Sequence, residues 1–170
     1  MQPLLLDVAL AGILLVVFLA DLFLPVAAKR PLAIVTAAGL ALLLAASFAI
    51  DVSGSAFGGA FVADPLAVWF KRLFLGAGAL AVLLAVDPVA RTFAGRQGEY
   101  YVLLLASLLG MSILASAREM ILIAVSFELM SLPLYALAAF AKGQRPSIEA
   151  AIKFYLVGAV SIAITLYGLS

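Results

Sequence analysis

The stretch from position 100 to 140 reads YYVLLLASLLGMSILASAREMILIAVSFELMSLPLYALAAF. It holds two apolar runs, 100–116 and 120–140, broken only by Ala117, Arg118 and Glu119. A helix needs about 20 predominantly apolar residues to cross a hydrocarbon core roughly 30 Å thick, because nothing in that core but the helix itself can satisfy its backbone. Both runs come close to that length, and three residues leave room only for a tight turn. The stretch therefore predicts two membrane-crossing helices folded back on each other as an antiparallel hairpin.

Working outward, four further runs qualify. The first spans 4–24 and stops at Pro25; the second spans 32–50; the third spans 66–86 and follows Asp64-Pro65, a favourable helix start; the last begins at Ile148 and continues to the end. The fold class expected is all-α, a polytopic membrane bundle of about six helices. Composition agrees. Hydrophobic residues make up 67% of the 170 and charged residues 11%, with a mean hydropathy of +1.28. A soluble domain of this size cannot hide so much apolar surface.

Ten Lys and Arg against nine Asp and Glu leave a net charge of +1, which offers no electrostatic grip on nucleic acid. Cys and His are both absent, which removes disulfides, thiolate-held iron–sulfur clusters, His-ligated haem and the usual zinc sites. No cofactor or metal is expected on this chain, and any electron chemistry belongs to other proteins. The segment 51–63, with Ser53-Gly54-Ser55 and Gly58-Gly59, lacks the Gly-Lys-Ser/Thr ending of a phosphate cradle and reads as a flexible external connection. The first run begins with Asp7 and no Lys or Arg, and is too long for a signal peptide, so it reads as a retained anchor. Lys29, Arg30, Arg91, Arg96, Lys142 and Arg145 flank one side of the expected bundle, against Arg118, and Lys71 and Arg72 if they snorkel, on the other. The amino terminus is therefore expected outside and the basic loops in the cytoplasm, most simply across a bacterial inner membrane.

Charges inside the spans are the candidate functional groups, since each costs at least about 2.5–3.5 kcal/mol near the bilayer centre and usually faces a wet or protein-lined interior. Glu128 lies roughly 12 Å into the fifth run, too deep to snorkel. Ser131 and Tyr135 follow three and seven residues later, so the three can share one helix face. Pro133 withdraws an amide proton and crowds the carbonyl of Leu129, bending the helix beside the acid. That combination suits a proton relay; the alternative is an acid that bridges helices beside a packing kink. Lys153, nearer its helix start, either works with Glu128 through water or pairs with Glu149 four residues earlier. Asp21 reads as an anchor neutralised by Lys29 or Arg30. At least one of Lys71 and Arg72 is expected to snorkel, and Asp7 to be interfacial.

Two segments carry a family resemblance: Glu128-Leu129-Met130-Ser131-Leu132-Pro133-Leu134-Tyr135, then Glu149-Ala150-Ala151-Ile152-Lys153-Phe154 and Gly158-Ala159. They resemble the antiporter-like subunit N of proton-pumping NADH:quinone oxidoreductase, complex I, the NADH dehydrogenase subunit 2 family. Asp21-Leu22-Phe23, Asp64-Pro65-Leu66 and the turn at Arg118 are compatible with it. The resemblance implies a membrane-arm subunit that contributes to proton translocation coupled to quinone reduction, with Glu128 as a proton-channel residue and Lys153 on the hydrophilic axis. It implies an enzyme complex in which this chain is a non-redox subunit, inactive alone. Other membrane-arm subunits and the lipid bilayer are the partners, and quinone and NADH are bound elsewhere. Family members have about fourteen helices, three leading ones and two inverted repeats. On that plan 1–98 are the three leading helices, 99–170 are the first three of a repeat, and the chain is a fragment. The alternatives are a cation/proton antiporter subunit, a related membrane-bound dehydrogenase or hydrogenase subunit, or a purely structural membrane scaffold.

Overall fold

The computed structural model describes residues 2–25, 29, 31–50 and 53–169. Six long helices follow one another: α1 (Leu5–Phe23), α2 (Pro31–Ala49), α3 (Pro65–Thr92), α4 (Gln97–Leu114), α5 (Met120–Ala138) and α6 (Arg145–Leu169). All six are long and apolar enough to cross a membrane. A 3₁₀ turn, Gln2–Leu4, leads into α1.

Local chemistry sets most of the boundaries. Leu24 turns extended ahead of Pro25, whose ring disfavours a helical neighbour, and α1 ends there. Pro31 and Pro65 start α2 and α3, where the missing amide proton costs nothing. Asp64 caps α3, its Oδ1 accepting from the Ala67 amide at 2.7 Å. The helices α4 and α6 each start three residues earlier than expected, and the largest difference is at the end of α3. The third helix continues through Asp87 and Pro88 to Thr92, about one and a half turns further than expected. A helix tolerates the proline's lost hydrogen bond when packing holds both flanks, and Ala85 and Val89 are both buried here.

The segment between α2 and α3 is also not the flexible connection expected. It forms a small antiparallel hairpin, β1 (Gly54–Ala56) with β2 (Phe61–Ala63), pairing Ser55 with Val62 around a short 3₁₀ turn. Gly58 and Gly59 have φ of 66° and 96°, conformations that suit glycine and let the ribbon reverse. The outer strand is docked on the α4–α5 turn: the Val62 amide donates to Ser116 O and the Arg118 amide to Ala60 O, both at 2.8 Å. The edge that a free ribbon would leave unpaired is thereby used.

The core lies among α1 to α4, with Leu10, Val17, Leu40, Val82 and Leu105 almost fully inaccessible. Helix α4 packs on α1, α3 and α5, and α5 packs on α6. The α4–α5 crossing is close because residue 110 is glycine. A Cβ there would collide with the α5 backbone at Leu129 and Met130. On α6 only Ala151 is buried.

Candidate functional site

Helix α5 carries the sequence-predicted site. Ser126 and Ser131 bond their hydroxyls back to the carbonyls of Leu122 and Phe127, at 2.6 and 2.8 Å. Such bonds loosen and bend a helix, and Pro133 removes one more rung from the same region. The residues whose backbone Pro133 perturbs, Leu129 and Met130, are the ones pressed against Gly110 of α4. The weakened part of α5 is thus where its backbone closes on α4.

Ser131, Pro133 and Tyr135 are all buried. Tyr135 joins α5 to α6: its ring meets Phe154 edge-on at 4.9 Å and Tyr155 at 5.6 Å, and its hydroxyl sits against Gly158, where a Cβ would not fit. Glu128, two turns earlier on nearly the same side of α5, is exposed on the surface of the chain. Lys153 is exposed as well, and donates to Glu149 Oε1 at 2.5 Å, the i,i+4 pair that the spacing allows. Arg145, Ile148, Glu149, Ile152 and Lys153 line a shallow groove on α6. Among the described residues no hydrogen bond or ion pair links Lys153 to Glu128.

Asp7, expected at the interface, is enclosed by protein, and of Lys71 and Arg72, at least one of which was expected to snorkel, Lys71 turns inward to meet it. The Lys71 ammonium lies 2.5 Å from Asp7 Oδ2, and the Ser112 hydroxyl donates to Asp7 Oδ1 at 2.5 Å. All three side chains are buried, and the Phe61 ring covers the ammonium at 4.6 Å. The cluster ties α1, α3 and α4 together beneath the hairpin. An apolar site can hold two opposite charges only when each satisfies the other, and that pairing spans 64 positions that no local spacing rule connects. The one signal available in sequence was a basic residue within a span with no acid on its own helix face.

Arg72, on the next direction of α3, reaches the end of α2 instead, donating to Ser47 O at 2.5 Å and to Ser47 Oγ at 3.3 Å. Asp21 is neutralised by Lys29 at 2.6 Å, as the sequence suggested, and its carboxyl also lies against Gly98 in the first turn of α4. A carboxylate unfavourable at the carboxyl end of α1 is in this way placed at the positive end of α4. Outside the spans, Asp64 accepts from Arg118 at 2.6 Å as well as from Ala67. The Ala67 amide, aided by the Arg118 charge, outweighs desolvation and holds the Asp64 carboxyl below its ordinary value of 3.8.

Residues 117–170 match the family model described as NADH:quinone oxidoreductase/Mrp antiporter, TM, a segment that contains Glu128, Pro133 and Lys153. The chain is 45% identical over 150 residues to NADH-quinone oxidoreductase subunit N of Moorella thermoacetica, covering 88% of this chain and 31% of that protein. To subunit N of Anaeromyxobacter sp. it is 37% identical over 169 residues, covering 96% of this chain and 32% of the relative. A chain in the structure of respiratory complex I from Thermus thermophilus with bound aureothin superposes with a TM-score of 0.76 at 35% identity, over 96% of this chain and 35% of that one. The chain spans about a third of the length of the curated relatives it matches. Six apolar helices on this pattern make it an integral membrane protein. Residues 117–170 thus belong to the NADH:quinone oxidoreductase/Mrp antiporter transmembrane family, and along nearly its whole length the chain is similar to subunit N of NADH-quinone oxidoreductase.

Proposed function

We propose that this chain is part of a subunit N-like membrane-arm subunit of NADH:quinone oxidoreductase and contributes to proton translocation coupled to quinone reduction in other subunits. On this reading α1–α3 (within 1–98) are leading helices and α4–α6 (within 99–170) open an antiporter-like repeat. The observation that carries it is Glu128, an acid in the middle of an apolar span, within the family segment and beside a backbone perturbed by Pro133. Glu128 would exchange protons with internal water, and Lys153 would supply positive charge or pass the proton on. Tyr135 holds α5 against α6, Gly110 lets α4 close on Leu129 and Met130, and Ser131 bonds back within α5, so that the acid keeps a fixed place relative to the rung that Pro133 removes. The partners are the other membrane-arm subunits; NADH and quinone bind elsewhere in the complex. The amino terminus lies outside, with Lys29, Arg96 and Lys142 on the cytoplasmic side of a bacterial inner membrane.

The test is Glu128→Gln in the assembled complex of the native host. Proton pumping per electron should fall while the complex assembles and reduces quinone; normal pumping defeats the relay. A second reading, a subunit of a cation/proton antiporter, is favoured by the other half of the matched family's description. Sodium-dependent transport without quinone reduction would select it.

A further inference from the structure

A groove of about 500 Å³ runs along the outside of the bundle between α2 and α3, lined by Leu44, Phe48, Trp69, Arg72, Gly76 and Leu80. Its two ends differ in chemistry. At one end Arg72, seven residues into α3 and so about 10 Å from its start, meets Ser47, near the carboxyl end of α2. From there Leu44, Gly76 and Leu80 continue inward along the helices as an apolar trough, and Gly76 leaves its floor open.

Arg72 is held for a purpose that the bundle does not exhaust. Its guanidinium is fixed by Ser47 O, Ser47 Oγ and the Phe48 ring at 4.3 Å, all neutral groups. A guanidinium carries five donors, and among the described residues these contacts use two of them. Lys71, the adjacent cation, has a buried carboxylate; among the described residues Arg72 has no such partner and faces the groove with donors still available. Trp69, more than half exposed on the same side one turn nearer the helix start, has the amphipathic ring that settles at the level of lipid headgroups.

We propose that this groove binds one anionic phospholipid of the surrounding bilayer, its phosphate on Arg72 and one acyl chain in the trough past Gly76 toward Leu80. A phosphate oxygen supplies the negative charge that a fixed guanidinium within a span requires, with paired N–H donors matched to it. The trough supplies the apolar length that a soluble anion could not use. This site is independent of the Glu128 reading, since it lies on different helices and involves no proton step.

Trp69 is the chain's only tryptophan, so its fluorescence reports this groove alone. The purified 170-residue chain is placed in vesicles of equal phosphatidylglycerol and phosphatidylcholine, with bromine on the acyl chains of one lipid or the other. Surface charge is then identical in both arms. Brominated phosphatidylglycerol should quench Trp69 as though enriched about fivefold over phosphatidylcholine, the factor expected of one basic residue acting on an anionic headgroup. Arg72→Gln should abolish the difference, whereas Arg91→Gln, which removes a charge from the other end of α3, should preserve it. Equal quenching in the unmodified chain overturns the proposal without recourse to any variant, and so does a preference that survives Arg72→Gln. Loss of the preference on adding inorganic phosphate would assign the cation to a free anion and overturn it too.

Discussion

Lys71 and Asp7 form an ion pair with 2.5 Å between nitrogen and oxygen, 64 residues apart in sequence and both buried within the bundle. Each charge is tolerable there only because of the other. Replacing one, as in Lys71→Met, should destabilise the fold by about 3–5 kcal/mol, because an unpaired buried carboxylate remains. The double replacement Asp7→Leu with Lys71→Met should recover most of that loss, the buried Ser112 hydroxyl being the one partner left over. Unfolding of the detergent-solubilised chain, followed by circular dichroism across a double-mutant cycle, measures both. Additive losses would mean that the pair does not act as a unit.

Gly110 sets the α4–α5 crossing, since even a Cβ meets the backbone of Leu129 and Met130. Gly110→Ala should cost about 1–3 kcal/mol by overpacking, and Gly110→Leu should separate the helices outright. A cysteine cross-link between α4 and α5, efficient in the parent and lost in the leucine variant, would register the change.

The hairpin and the α3 start respond to acid through Asp64. Its folded carboxyl titrates below its ordinary value of 3.8, chiefly through the Ala67 amide and then through Arg118. The sign follows: the contribution is complete above the unfolded value and is lost as pH falls through the lower folded one. Below pH 4, therefore, Asp64→Asn should lose less stability than the parent on further acidification. Identical acid profiles for the two proteins would show that Asp64 does not contribute.

Lys153 and Glu149 form an exposed i,i+4 pair on α6, and such pairs contribute about 0.3–0.5 kcal/mol. Lys153→Met should therefore leave stability and assembly almost unchanged while lowering proton pumping in the complex. A variant that assembles poorly yet pumps normally per complex would assign Lys153 to packing.

Much of the architecture was legible because each span is a local property. A run such as 120–140 is apolar over its whole length, and Pro25, Pro31 and Asp64-Pro65 act on the residues beside them. The same holds for the Glu149–Lys153 pair, which helical spacing alone brings together. The end of α3 was not legible for the complementary reason: the helix runs on past Pro88 where the buried Ala85 and Val89 flank it, and that packing is not displayed by the sequence.

By itself, then, the sequence determined the environment and the units: six helices for a bilayer, a tight turn at Arg118, an acid and a proline inside α5. Hydropathy and turn chemistry act over a few residues, so they can be read in order along the chain. Only the tertiary structure decided which charges are partners and which positions must be glycine. Asp7 meets Lys71, Asp21 meets the first turn of α4, and Gly110 meets Leu129, each through contacts between separate helices. Burial makes those choices binding, because a lone charge or an extra Cβ has no water to escape into once the helices close.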